Sequence, residues 1–144
     1  MKGLGMEGRP PLAAFAGQWT VARTIDDLRA GQVSEFSGQA HLCQSESGLL
    51  YREAGRIELG NGHSLAAERR YLWSETAQGI EVRFDDGRFF HVIGAGTQVS
   101  VAHDCTPDSY VGAYDFAAWP EWRISWTVEG PRKSYRMRST YRRA

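Results

Sequence analysis

Phe15-Ala16-Gly17-Gln18-Trp19 runs into Thr20-Val21-Ala22-Arg23-Thr24-Ile25, and the last patterned stretch of the chain is Tyr135-Arg136-Met137-Arg138-Ser139-Thr140-Tyr141-Arg142-Arg143. Both segments alternate bulky with polar or charged residues at a period of two, the pattern of a strand with one face buried. The same pattern fills the space between them. Strand-like runs span Gln18–Ile25, Ser34–Gln44, Leu49–Leu59, Ser64–Ser74, Ile80–Asp85, Arg88–Val92, Thr97–Cys105, Ser109–Phe116, Glu121–Glu129 and Ser134–Arg142. Asn61-Gly62 and Asp86-Gly87 separate neighbouring runs as tight hairpin turns, because these dipeptides tolerate positive φ. Gly94-Ala95-Gly96 and Gly130-Pro131 mark looser ones. Helical signals are confined to Pro11–Phe15, with proline in a first turn, and to Asp26–Ala30. Consecutive strands with short links predict an all-β fold. The expectation is a single closed antiparallel meander barrel of about 8–10 strands with a short N-terminal helical turn, since closure removes the exposed edges of an open sheet.

Size and charge narrow the classes. With 144 residues the chain predicts one domain over 12–144, preceded by a Gly/Pro-rich flexible arm over 1–11. Lys plus Arg and Asp plus Glu are 17 each, so no global field attracts nucleic acid or an acidic membrane. Six basic and no acidic residues occupy 132–143, which predicts a local basic stripe. Arg136, Arg138 and Arg142 share one face there, as a phosphate-contacting surface or as a solvated outer face. Cys43 and Cys105 are too few for a disulfide framework. No apolar stretch reaches the roughly 18 residues of a membrane span. The first residues lack the apolar core of a signal peptide, and a cytoplasmic protein is the expectation.

Alternation assigns faces. Trp19, Val21, Arg23 and Ile25 point one way; so do Phe36, Gly38, Ala40 and Leu42, which leaves His41 and Cys43 outward. Leu65, Ala67, Arg69, Tyr71 and Trp73 share a face, as do Val99, Val101 and His103, and then Tyr110, Gly112, Tyr114 and Phe116. The predicted interior therefore contains Arg23, Arg69, His103, Tyr110 and Tyr114, joined from the third strand by Tyr51 and Glu53. A small barrel with only a core to fill uses apolar side chains. Buried arginines need partners, so they predict either ion pairs with Glu53 or a wet cavity for an anionic head group. A one-residue bulge would instead turn the arginines outward.

On Gly17 and Trp19 of the first strand, the helical lead-in and an arginine on the last strand, the chain resembles the calycins, which include lipocalins and fatty-acid-binding proteins. The resemblance implies that Gly17 and Trp19 help close one barrel end, with a late arginine across the indole. Arg136, Arg138 and Arg142 are candidates, Arg138 being taken for that closure. It also implies that inward arginine and tyrosine can hold a carboxylate. Gly17–Arg23, His103–Tyr110 and Gly130–Lys133 also look like an uncharacterised bacterial family known only as a domain of unknown function.

The predicted ligand site comprises Arg23, Glu53, Arg69, Tyr71, His91, His103, Tyr110 and Tyr114. The leading expectation is a small-molecule binding protein holding an amphipathic or anionic ligand, without nucleic-acid or membrane partners. One alternative is a cavity enzyme, isomerase-, cyclase- or hydrolase-like, with His103 as acid or base. Another is a ligand-free structural homodimer. His103 and Cys105 suggest a thiol and its base, but residues i and i+2 on a strand lie about 6.6 Å apart, which turns attention to His91 across strands or to a plain turn at Pro107-Asp108. His41, His63, His91 and His103 show no metal-ligand spacing, so no metal is expected. Haem held through His103 is the one cofactor variant, because one axial ligand suffices.

Overall fold

The computed structural model describes residues 8–144. Ten strands follow one another: β1 (Gly17–Asp27), β2 (Gln32–Ser45), β3 (Gly48–Glu58), β4 (Ser64–Thr76), β5 (Gly79–Phe84), β6 (Phe89–Ile93), β7 (Gln98–Cys105), β8 (Asp108–Asp115), β9 (Trp122–Glu129) and β10 (Ser134–Arg143). Every adjacent pair from β1 to β6 and from β7 to β10 is antiparallel, and β1 pairs with β10. The result is a meander barrel that is nearly, not fully, closed: β6 and β7 end the sheet order without a hydrogen-bonded ladder between them. The expected antiparallel meander barrel is thus present, and at its one seam rings replace the backbone. Phe90 of β6 lies 5.2 Å from His103 of β7, and the His91 ring meets Tyr114 of β8.

Inward and outward residues alternate as the sequence pattern requires. Trp19, Val21 and Arg23 are buried on β1, and Phe36, Ala40 and Leu42 on β2. A bulge between Val82 and Arg83 of β5 pairs Val82 with His91 and Arg83 with Phe89, leaving Phe90 unpaired. That extra residue buries the consecutive side chains Phe90 and His91 on one strand. Arg23 of β1 and Arg69 of β4 are on the interior face. Gly38 and Gly55 face each other across β2 and β3, and the Phe36 ring lies over both; a Cβ on either would meet that ring at 2.7 or 2.8 Å. Side chains are absent there because a Cβ would collide with the Phe36 ring and the facing backbone.

One barrel end is plugged. The 3-10 turn Leu12–Phe15 inserts Phe15 among Trp73, Phe116, Trp119 and Trp122, with ring centroids 5.0–5.8 Å away. Trp19 Nε1 donates to the Phe15 carbonyl at 2.9 Å. Trp119 and Trp122 are therefore core at the closed end. The cation over Trp19 is Arg143, whose guanidinium carbon is 3.9 Å from the ring centroid, not Arg138. Parity explains the difference. Residues 137, 139, 141 and 143 share the inward parity of β10, and Trp19 pairs with Arg143. Arg138 points outward opposite Thr24. Arg143 also donates to the carbonyls of Ala14 and Ala16 at 2.6 and 2.8 Å, tying the plug to the last strand.

Two further expectations change. Asp26–Ala30 is no helical turn: β1 continues to Asp27, whose carboxylate accepts the N–H groups of Arg29 and Ala30 in a tight β1–β2 turn. The arm expected over 1–11 falls outside the described residues at 1–7, and its remainder is docked. Arg9 donates to the Gly94 carbonyl at 3.1 Å and pairs with Glu75, and Pro10 is buried. The outer basic stripe is solvated, with Arg142 paired to Glu121 at 2.8 Å.

Arg143→Ala should cost about 1–2 kcal/mol, from the lost cation–π contact and carbonyl bonds. Arg138→Ala, on an exposed face, should stay within about 0.5 kcal/mol. Urea denaturation of the two variants checks this; equal losses would contradict the assignment of Arg143 to the plug.

Candidate functional site

A cavity of about 320 Å³ occupies the barrel interior above the plug. Its wall includes all eight predicted site residues: Arg23, Glu53, Arg69, Tyr71, His91, His103, Tyr110 and Tyr114. Alternation turned seven of them inward, and His91, singled out only as a cross-strand partner for Cys105, joins them opposite the buried Val82. The wall also includes Tyr51, Phe90, Trp126, Met137, Ser139 and Tyr141, absent from the predicted set. Met137 and Tyr141 were legible as the inward partners of the outward arginines. Phe90 was hidden by the bulge.

The polar floor is a buried ion pair. Register places Arg23 of β1 beside Ser139 of β10, and Glu53 of β3 across β2 from β1. Arg23 donates two bonds to the Glu53 carboxylate, both 2.8 Å, and a third to Ser139 Oγ at 2.7 Å. Tyr51 donates to Glu53 at 2.5 Å, and the Tyr51 and Tyr141 hydroxyls are 2.6 Å apart. The side chains of Arg23 and Glu53 are 6% and 1% exposed, so this charge pair is out of water and survives because each group is saturated. Burial pushes the Glu53 carboxyl up, but the Arg23 hydrogen bonds and charge, with the Tyr51 hydroxyl, hold it below its usual range. Burial also lowers Arg23, yet the bonds to Glu53 leave it raised and permanently charged. Burial and the Glu53 charge push the Tyr141 phenol up to about 12.

Arg69 differs from Arg23. It stands opposite Glu53 on β4, but its Nε is 3.9 Å from a carboxylate oxygen that Arg23 already holds. Its other contact is the Met137 sulfur at 3.9 Å. The side chain is 39% exposed and faces the cavity. Arg88, the third arginine of the wall, pairs with Asp86 at 2.7 Å and lies over Phe84. Arg69 is thus the cavity cation with spare hydrogen-bonding capacity.

The opposite wall is aromatic. Phe90 stacks on Trp126 at 5.3 Å and on Phe84 at 4.7 Å, and Tyr71 stacks on Phe90 at 5.7 Å. His103 is half-buried among Phe84, Phe90 and Tyr110, and no carboxylate among the described residues is hydrogen-bonded to it. His91 is buried, and its Nε2 is 2.8 Å from the Tyr114 hydroxyl. Its Nδ1 has no hydrogen-bond partner among the described residues. Burial, reinforced by the nearby His103, lowers its pKa to about 3, so it is neutral at ordinary pH. Because His91 is bound to Tyr114, it is no base for Cys105, which is exposed at the rim. Asp108 reaches Lys133 at 3.2 Å instead of capping only its own turn. Among the described residues, no three His, Cys, Asp or Glu side chains group in a way that could hold a metal ion. No helix is long and apolar enough to cross a membrane.

A nearly closed ten-stranded barrel around an aromatic, partly charged cavity is the class of protein defined by this geometry. Residues 15–143 match the "Family of unknown function (DUF6314)", and the chain belongs to that family. No curated protein matches it. Its fold is similar to that of the S-type phycobiliprotein lyase CPES from Guillardia theta, with a TM-score of 0.60 and 10% identity over 92% of this chain and 90% of that one. A protein of unknown function from the DUF3598 family of Nostoc punctiforme PCC 73102 is also similar, with a TM-score of 0.60 and 8% identity over 96% of this chain. The present chain spans 51% of that second protein. At these identities the likeness is one of fold.

Two outcomes follow from the floor and the seam. Glu53→Ala strands the Arg23 charge and should cost about 3–5 kcal/mol, whereas Arg23→Met with Glu53→Leu should recover most of that loss in urea denaturation. His91 is neutral when folded and titrates near its usual value of 6.5 when unfolded. The unfolded chain therefore binds the extra proton between about pH 6.5 and 3, and stability falls as pH drops through that window, by at most about 1.4 kcal/mol per pH unit. His91→Phe should flatten this slope in thermal melts, leaving the Glu53 contribution, which is lost only as pH falls below the ordinary carboxylate range.

Proposed function

We propose that the barrel holds a small amphipathic monoanion, its apolar part stacked in the aromatic wall and its carboxylate or similar head on Arg69. The observation that carries the reading is the contrast between two interior arginines. Arg23 is consumed by Glu53, while Arg69 faces the same cavity with its guanidinium 3.9 Å from a carboxylate already occupied. A half-exposed guanidinium beside an aromatic surface favours a ligand with one negative end and one flat apolar end. The cavity of about 320 Å³ is at the small end of the roughly 300–1,000 Å³ of ligand sites. The likeness to the phycobiliprotein lyase fold supports a small molecule as occupant.

2-Naphthoate and its neutral counterpart 2-naphthalenemethanol test this by calorimetry. The carboxylate should bind saturably and more tightly than the alcohol. Arg69→Ala should weaken the carboxylate by about 1.5–3 kcal/mol, the range for bonds to charged groups, and leave the alcohol unchanged. Equal affinity of the carboxylate for parent and variant would overturn the reading.

A further inference from the structure

The outer wall of the barrel carries a second polar arrangement, independent of the cavity. Register aligns Gln18 of β1 with His41 of β2, His41 with Arg52 of β3, and Arg52 with Arg70 of β4. All four have outward parity and all are exposed except at their stems, so they form one continuous cross-strand row. Directly opposed residues on neighbouring strands have Cβ atoms about 4.5–5.5 Å apart, and like charges placed there repel. Yet neither Arg52 nor Arg70 makes an ion pair or side-chain hydrogen bond with any described residue. Glu68 stands one row away, diagonal to Arg52 and two residues before Arg70, and is not within ion-pair distance of either. By contrast, Arg83, Arg88, Arg123 and Arg142, also on the surface, each hold a carboxylate at 2.7–2.8 Å.

The row is also concave. Ala54 stands opposite Gln39 and Glu68 in the adjoining row, and its small side chain leaves a depression of about 360 Å³ bounded by Gln18, Gln39, His41, Arg52, Glu68 and Arg70. On the other side runs an apolar row, Cys43–Leu50–Leu72. Two facing guanidiniums with imidazole and amide donors beside them match an oxyanion with several acceptor oxygens, and bidentate pairing of arginine with phosphate is the geometry that relieves their repulsion. We propose that this outer row is a binding site for a phosphate-type oxyanion, bridged between Arg52 and Arg70 and flanked by His41 and Gln18. The source of the oxyanion is either a free phosphate compound or a phospholipid headgroup, whose chains would lie along the Cys43–Leu50–Leu72 row.

The test uses the full chain. Inorganic phosphate is titrated against sodium chloride at matched ionic strength, read by ¹H–¹⁵N spectra including the arginine Nε signals. Saturable shifts at Arg52, Arg70 and His41 in phosphate alone are expected, and Arg70→Gln should reduce the apparent affinity at least tenfold. In parallel, flotation with phosphatidylglycerol and phosphatidylcholine vesicles identifies the source: retention on the anionic vesicles, lost in Arg70→Gln, assigns a lipid headgroup. The melting temperature of the parent should rise in phosphate relative to chloride, and that increment should vanish in Arg70→Gln, which is expected to fold because the residue is exposed. The proposal is overturned if neither phosphate nor anionic vesicles bind, or if binding is indifferent to Arg70→Gln. Neither outcome touches the cavity reading, which depends on Arg69 and the opposite face of the sheet.

Discussion

The interaction on which the rest of the barrel depends is the buried pair between Arg23 and Glu53. Neither charge could leave water alone; together, with Ser139, Tyr51 and Tyr141 closing the remaining bonds, they form a saturated network inside an otherwise aromatic shell. The network spans β1, β3 and β10, so it can form only when all three strands are in their observed register. A slip of one residue on any of them would send a charged or hydroxyl group to the outer face and leave its partner unpaired. The pair thus acts as a register lock for the half of the barrel where the first and last strands meet.

The remaining half is held differently. Between β6 and β7 there is no ladder, and the rings of Phe90, His91, His103, Tyr114 and Trp126 meet across the gap. Contacts of this kind are individually weaker than a row of backbone bonds but bury more apolar area per residue. The bulge at Phe90 supplies one of these rings, while His91, in regular register opposite the buried Val82, lies deep enough to lose its proton affinity. The local irregularity of β6 and the inward Phe90 ring are consequences of the same extra residue.

These origins explain what the sequence did and did not disclose. Period-two alternation is a local property, so ten strands, most of their faces and the inward polar residues Arg23, Glu53, Arg69, His103, Tyr110 and Tyr114 could be read directly. Pairing is not local. Nothing in the spacing of Arg23, Glu53 and Arg69 says which arginine Glu53 neutralises, and the answer decides which cation is left over. The plug arginine shows the same divide: alternation places Arg138 outward and gives Arg143 the parity of Tyr141, but only the β1–β10 register sets Arg143 on Trp19. The seam and the bulge lay outside the reach of alternation altogether, since a bulge is a departure from it.

The floor network also constrains any occupant of the cavity. Tyr51, Tyr141 and Ser139 spend their hydroxyls on one another and on the ion pair, and Glu53 accepts from three donors. A ligand pushing a polar group toward this floor would have to break bonds already made in a low-dielectric setting, where each is worth more than in water. An apolar group would break none. On the proposed reading, the ligand therefore enters with its apolar end leading and keeps its charge level with Arg69, which still contacts solvent and so pays little desolvation to receive it. On the same reading a second negative charge would find, among the other described arginines of the wall, Arg23 held by Glu53 and Arg88 by Asp86, which favours an occupant with a single anionic end.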